Sequence, residues 1–135
     1  MAVRQLSVFL ENKQGMLVEV TEALTEAGVD IRALSLAESD DYGIMRLIVS
    51  DTDRALEAVR ATGRTVTVNR VVGLKIADRP GGLHEALAVL GKADINIGYM
   101  YAFISEKPGE AEVVLRVSDT AAAEKLLLDS GFELL

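Results

Sequence analysis

Two short stretches of this 135-residue sequence carry residue types at a spacing suited to holding an anion. In Asp78-Arg79-Pro80-Gly81-Gly82-Leu83 the apolar run Val71 to Ile76 gives way to a glycine-rich turn, and an amphipathic helical pattern begins at once. A strand that turns sharply into a helix leaves backbone N–H groups without partners, aimed at one spot, and the helix adds a partial positive charge there. A carboxylate or a phosphate suits such a spot. Pro80 presets its own φ for a first helical turn, while Gly81 and Gly82 open backbone angles closed to other residues and let a ligand approach the main chain. The same turn also has a plainer use, as a simple strand-to-helix connection. A weaker copy lies earlier, at Asn12-Lys13-Gln14-Gly15-Met16-Leu17.

Other chemistry is thinly represented. The absence of cysteine removes disulfides, thiolate zinc sites, iron–sulfur clusters and cysteine nucleophiles together. His84 is the only histidine, one residue after Leu83, with no second histidine or acidic triad partner near it in sequence. It makes a poor catalyst, and the choice for it lies between lining a pocket and standing on an exposed helix face. No catalytic residue, cofactor or metal site is expected, and Asp40 and Asp41 read as solvated turn residues. The net charge of −7, spread over both halves, opposes binding to nucleic acid or to an anionic membrane surface. No apolar run approaches a transmembrane length, and Met1 to Leu6 does not read as a signal peptide, so a cytoplasmic protein is expected.

The elements that must position the turns follow from periodicity. Leu6–Leu10 reads as a strand, and Met16, Leu17, Val20, Ala23, Leu24 and Ala27 mark a helix face closed by Gly28. A strand from Val29 to about Ala37 follows. The polar turn Glu38–Gly43, a strand Ile44–Val49, a helix opened by Ser50-Asp51-Thr52-Asp53 and ended by Gly63, and a β-branched strand Thr65–Val68 complete the first run. The order β-α-β-β-α-β is that of a ferredoxin-like unit. It then restarts: strand Val71–Ile76, a helix marked by Leu83, Ala86, Leu87 and Leu90, strand Ile95–Ile104, a turn at Ser105–Gly109, strand Ala111–Val117, helix Asp119–Ser130 and a last strand Phe132–Leu135.

The restart is an internal repeat. Gly15, Leu17, Glu19, Leu24, Ala27, Ile31 and Ser39 recur 66 positions later as Gly81, Leu83, Glu85, Leu90, Ala93, Ile97 and Ser105. Val49-Ser50-Asp51-Thr52 and Gly63 recur 68 positions later as Val117-Ser118-Asp119-Thr120 and Gly131, which places two extra residues in the hairpin around Pro108. The expected fold class is α+β: two ferredoxin-like βαββαβ units in tandem, with antiparallel sheets side by side and helices on one face. Units of this size are marginal alone.

The second turn, with Asp94-Ile95-Asn96-Ile97 behind it, resembles the signature of the ACT domain. Asn12 to Leu17 with Gly28-Val29-Asp30-Ile31 resembles it too, so the resemblance spans the chain as two ACT-like units, 1–68 and 69–135. It implies a regulatory rather than catalytic protein. It also implies a free amino acid as ligand, held between the glycine turn of one unit and strand two of a neighbour, and a homodimer. Carried over residue by residue, the ligand-binding positions are Asn12, Gly15, Met16, Leu17, Asp30 and Ile31, and Asp78, Gly81, Gly82, Leu83, Asn96 and Ile97. Asp30, Asp78, Asn12 and Asn96 can accept from an ammonium group, which favours a zwitterion over a phosphate. Asp30 and Asn96 equally suit turns that lead into strands. Lys13-Gln14 replaces Arg-Pro in the first copy, so the two sites are expected to differ. The alternative is a regulatory subunit of a separate amino-acid biosynthetic enzyme, acetolactate-synthase-like, acting mainly by protein–protein contact.

Tyr99, Tyr101 and Phe103 alternate where the first copy has Ala33, Ser35 and Ala37. They either fill a local core or set large against small side chains across an interface.

Overall fold

The computed structural model describes residues 3–11, 13–39, 41–104 and 107–135. The elements run β1 (Val3–Glu11), α1 (Met16–Glu26), β2 (Ile31–Glu38), β3 (Tyr42–Val49), α2 (Thr52–Arg60), β4 (Val66–Ala77), α3 (Gly82–Lys92), β5 (Ile97–Ala102), β6 (Glu110–Val117), α4 (Thr120–Asp129) and β7 (Glu133–Leu134). Two β-α-β-β-α-β units follow one another in the chain. The contacts divide into Arg4–Asn69 and a second unit of Arg70–Leu135 with Met1–Val3.

In the first unit β3 lies between β2 and β1, antiparallel to both. The opening of β4 lies beside β1, where the Phe9 N–H donates to the Thr65 carbonyl at 3.0 Å. Register puts Leu6 opposite Leu47 and Val8 opposite Met45, so these point to one face. Val20 and Leu24 of α1 and Ala55 and Val59 of α2 join them in a single core. Each large aliphatic side chain taken wholly from water contributes about 2 kcal/mol, which is why so small a unit needs both helices on the same face.

The second unit repeats this plan. β6 lies between β5 and β4, and β7 adds to the other side of β4, all antiparallel. Its core joins Val72, Leu74, Val113 and Leu115 from the sheet to Ala86, Leu90, Ala123 and Leu127 from the helices. Gly73 is required by close approach: a Cβ there would lie 2.7 Å from Val3 Cγ2 and 2.9 Å from Leu135. Both second helices of the units carry the same cap. The Asp51 carboxylate accepts from Arg54 N–H at 3.1 Å, and Asp119 from Ala122 N–H at 3.0 Å.

One expected boundary is absent. Thr65–Val68 and Val71–Ile76 read as separate strands, but β4 runs unbroken from Val66 to Ala77. The intervening Asn69-Arg70 contains neither proline nor glycine, so nothing there interrupts an extended backbone. β5 is shorter than expected, ending at Ala102 with an isolated bridge at Phe103. The turn residues Asp40, Ser105 and Glu106 lie outside the described residues.

Candidate functional site

Each glycine turn ends in the same backbone. Gly15 has φ 85 and ψ −10, Gly81 has φ 86 and ψ −11, and each is the N-cap of the helix that follows. Neither helix start receives a side-chain cap. The first intrahelical donors are Glu19, to Gly15 O at 3.1 Å, and Glu85, to Gly81 O at 3.0 Å. The amides of Leu17 and Val18, and of Leu83 and His84, therefore have no partner inside their helices. Amides of this kind are what an anion cradle would require, and both helix starts have them.

The candidate residues take different positions around these amides. Asn12 lies outside the described residues. Met16 is half-buried against the first core, and Leu17 is exposed. Gly82 is buried, and a Cβ there would come 2.0 Å from the Ala77 carbonyl oxygen, so contact with its own strand already excludes any side chain. The Asp78 N–H donates to Gly109 O at 3.0 Å, tying the turn to the start of β6, while its side chain stays in solvent. Leu83 is half-buried, and His84 stands on the exposed side of α3.

Asp30-Ile31 and Asn96-Ile97 lie at the other end of α1 and α3. A helix of 11 residues spans about 16 Å, so within one unit these residues are far from its own turn. The Asp30 N–H donates to Ser50 Oγ at 2.9 Å, and its carboxylate pairs with Arg32 at 3.0 Å. Asn96 is exposed beside a cleft of about 200 Å³ that Arg116 and Ser118 also line. Tyr99 and Tyr101 stack with ring centroids 6.4 Å apart.

In its own unit the first turn meets the far end of strand two, and both turns meet the last connection. Leu36, Glu38 and Gly43 line a small cleft with Lys13, Met16 and Leu17. A second cleft, of about 320 Å³, lies between Glu11, Met16 and the Gly63-Arg64-Thr65 connection. Its counterpart in the second unit is about 360 Å³, between Lys75, Gly82, Glu110 and Gly131-Phe132-Glu133. Leu36, Glu38 and Arg64 were not among the expected residues. A β-α-β crossover returns the chain parallel to its start, so the end of strand two must reach the level of the turn, and that signal was available. Among the described residues, no three His, Asp or Glu side chains gather as a metal-binding group.

The family model of the ACT domain pair matches residues 1–134. The chain belongs to the ACT domain pair family. A crystal structure of a Bacteroides thetaiotaomicron protein is 38% identical, with a TM-score of 0.94, covering 100% of this chain and 92% of that one. The regulatory subunit of aspartate kinase from Thermus thermophilus is 15% identical with a TM-score of 0.69, covering 95% of this chain and 91% of its own. That from Thermus flavus is 14% identical with a TM-score of 0.63, covering 94% and 91%. These last two share the fold. No curated protein matches. As an ACT pair, the chain presents its two glycine turns and its two strand-two segments as paired, not single, features. No helix among the described residues is long and apolar enough to cross a membrane.

Proposed function

We propose that this ACT pair, taken as units 1–68 and 69–135, is a cytoplasmic amino-acid sensor that regulates a metabolic process and has no catalytic activity of its own. The observation that carries this reading is the duplicated, uncapped helix start behind a left-handed glycine. The amides after Gly15 and Gly81 receive the carboxylate of a free amino acid. Asp30 and Asn96 lie too far from their own turns to hold the ammonium group, so strand two of a neighbouring unit in a second copy supplies the acceptor. Ligand binding then regulates by favouring one arrangement of copies over another.

Isothermal calorimetry against the twenty amino acids tests this. At least one is expected to bind, and both Gly81→Val and Asp30→Ala are expected to weaken it. Absence of binding at millimolar concentration by every amino acid would sink the reading.

Leu34, Leu36 and Val18, all large, apolar and exposed, favour a second reading: a regulatory subunit that contacts a separate, acetolactate-synthase-like enzyme. Co-purification with such an enzyme, and a change in its activity on reconstitution, would support it over the first.

A further inference from the structure

We propose that Met16 is a site of oxidation by hydroperoxides, and that Arg64 receives the sulfoxide oxygen that results. Met16 is the first residue of α1, directly after the left-handed Gly15. Its sulfur already has a charged neighbour, since Arg64 Nη2 donates to Met16 Sδ at 3.4 Å. The same guanidinium reaches the Glu19 carboxylate, one turn further along α1. The Arg64 side chain is largely buried, so packing holds it beside the sulfur. A thioether is a weak acceptor for so strong a donor.

Oxidation chemistry falls to the methionines in this chain. With no cysteine present, the thioethers are its softest nucleophiles. The three described methionines are placed very differently. Met45 is completely buried in the first core. Met100 is half-buried and packs against the second core. Met16 packs against the first core but also lines two clefts, the larger with Glu11 and Arg64 and the smaller with Leu17 and Leu36. The larger cleft, of about 320 Å³, has room for a molecule little bigger than water. A small hydroperoxide therefore reaches this residue without the chain unfolding.

The step is a two-electron transfer of oxygen. A sulfur lone pair attacks the O–H oxygen of the hydroperoxide, an S–O bond forms and the O–O bond breaks. The departing oxygen keeps the electron pair of the broken bond and takes the proton from the attacked O–H. Sulfur is oxidised to the sulfoxide, and the hydroperoxide is reduced to water or an alcohol. The new oxygen carries partial negative charge, which turns the weak N–H···S contact into a charge-assisted hydrogen bond. The same oxygen on Met45 would lie among aliphatic side chains. Gly82, at the place of Met16 in the second unit, has no side chain, and Arg79 there pairs with Glu85. Oxidation therefore changes the first glycine turn and leaves the second as it is. The site needs no amino-acid ligand, so it stands or falls apart from the sensor reading.

Trypsin places each of the four methionines in a separate peptide, so mass spectrometry reads them one by one. After brief treatment of the folded chain with limiting hydrogen peroxide, the Met16 peptide is expected to gain one oxygen at least about tenfold faster than the Met45 and Met100 peptides. Once Met16 is oxidised, the unfolding midpoint by circular dichroism is expected to fall by at most about 2 °C, and by about 4 °C more in Arg64→Leu, where the sulfoxide lacks its donor. Met16→Leu keeps the packing and is expected to show no shift.

Equal rates at Met16 and at Met45 or Met100 would overturn the inference. So would an equal fall in midpoint with and without Arg64, or a shift in Met16→Leu as large as in the unmodified chain. Glu19→Gln gives a second test should Arg64→Leu not fold. It removes the carboxylate that competes for Arg64, so its midpoint is expected to fall less on oxidation than that of the unmodified chain. A larger fall would overturn the role of Arg64.

Discussion

Gly15 and Gly81 hold the same left-handed conformation, but the two units stabilise it with different parts. In the first unit part of the charge arrives from outside the turn. Arg64, on the connection before β4, reaches the Glu19 carboxylate in the first turn of α1 and lies 3.4 Å from Met16 Sδ, and Lys13 pairs with Glu11 at 2.9 Å. In the second unit the turn is largely self-contained. Glu85, the equivalent of Glu19, takes its partner from the turn itself, Arg79 at 2.8 Å, while Pro80 presets the backbone and Gly82 packs onto the Ala77 carbonyl. A similar exchange occurs at the strand-two bulges. The first unit has Arg32 within its bulge. The second has Gly98 there, with Arg116 of β6 lying across it, its Cγ 3.7 Å from where a Cβ of Gly98 would be. The backbone is common to both units, and the side chains that support it are interchangeable.

The contrast is sharpest at the first helical residue, Met16 in one unit and Gly82 in the other. Gly82→Ala places a methyl group 2.0 Å from a backbone oxygen that cannot yield without moving β4. It is expected to destabilise the protein by about 3 kcal/mol in thermal or denaturant unfolding. Gly15→Ala meets nothing within 4 Å and suffers only from its positive φ, so it should cost about 1 kcal/mol. Equal costs would mean that the two turns are held alike after all.

The arginines give the next test. The Arg64 side chain is 14% exposed and that of Arg79 is 53% exposed. Arg64→Met leaves Glu19 unpaired and removes the stem packed at Met16, at an expected cost of about 1.5 kcal/mol. Arg79→Met removes an exposed ion pair and should cost at most about 0.5 kcal/mol. Chemical denaturation of both variants measures the difference directly.

Much of the fold was legible because local signals agreed with it. The helical apolar spacing from Met16 and from Leu83, the closing glycines 28, 63 and 131, and the repeat itself set the element order. The ends of strands were not legible. Val3-Arg4-Gln5 and Tyr42-Gly43 carry no apolar alternation and are strand because a neighbouring strand pairs with the backbone. The unbroken β4 was missed because two apolar runs separated by Asn69-Arg70 look like two elements when read locally. At the candidate site the glycine turns were readable from composition. Leu36 and Glu38 could have been placed there from the β-α-β crossover, whereas Arg64 could not, since only the folded chain brings it to the turn. The need for Gly82 was visible, but its cause, the Ala77 carbonyl, was not.

A smaller asymmetry concerns the ends of α1 and α3. Gly28 has φ 70, and Asp94, its counterpart, has φ 57, a conformation that favours glycine. Asp94→Gly is expected to stabilise the protein by about 1 kcal/mol in equilibrium unfolding, because it relieves left-handed strain. Gly28→Asp is expected to cost about the same. A neutral Asp94→Gly would indicate that Asp94 makes compensating contacts that Gly28 does not need.

The smallest effect distinguishes the turns by pH. A hydrogen bond and attraction from Lys13, with a lesser attraction from Arg64, hold the Glu11 carboxyl below its ordinary range against a small desolvation. Ala77, its counterpart in the second unit, has no ionisable group. A carboxylate whose folded pKa is depressed stabilises the fold above its unfolded value, and that contribution disappears as pH falls through the folded value. The Glu11–Lys13 support of the first turn should therefore be lost on acidification, a contribution that the second turn lacks at Ala77. The change is small, because Glu11 is fully exposed and salt screens the pair. Carbon-detected NMR titration of Glu11 should give a midpoint below that of an unstructured glutamate. Lys13→Gln should move it upward, and so should added salt. A midpoint unaffected by either would mean that Lys13 does not hold the turn, and would leave Arg64 as its charged support among the described residues.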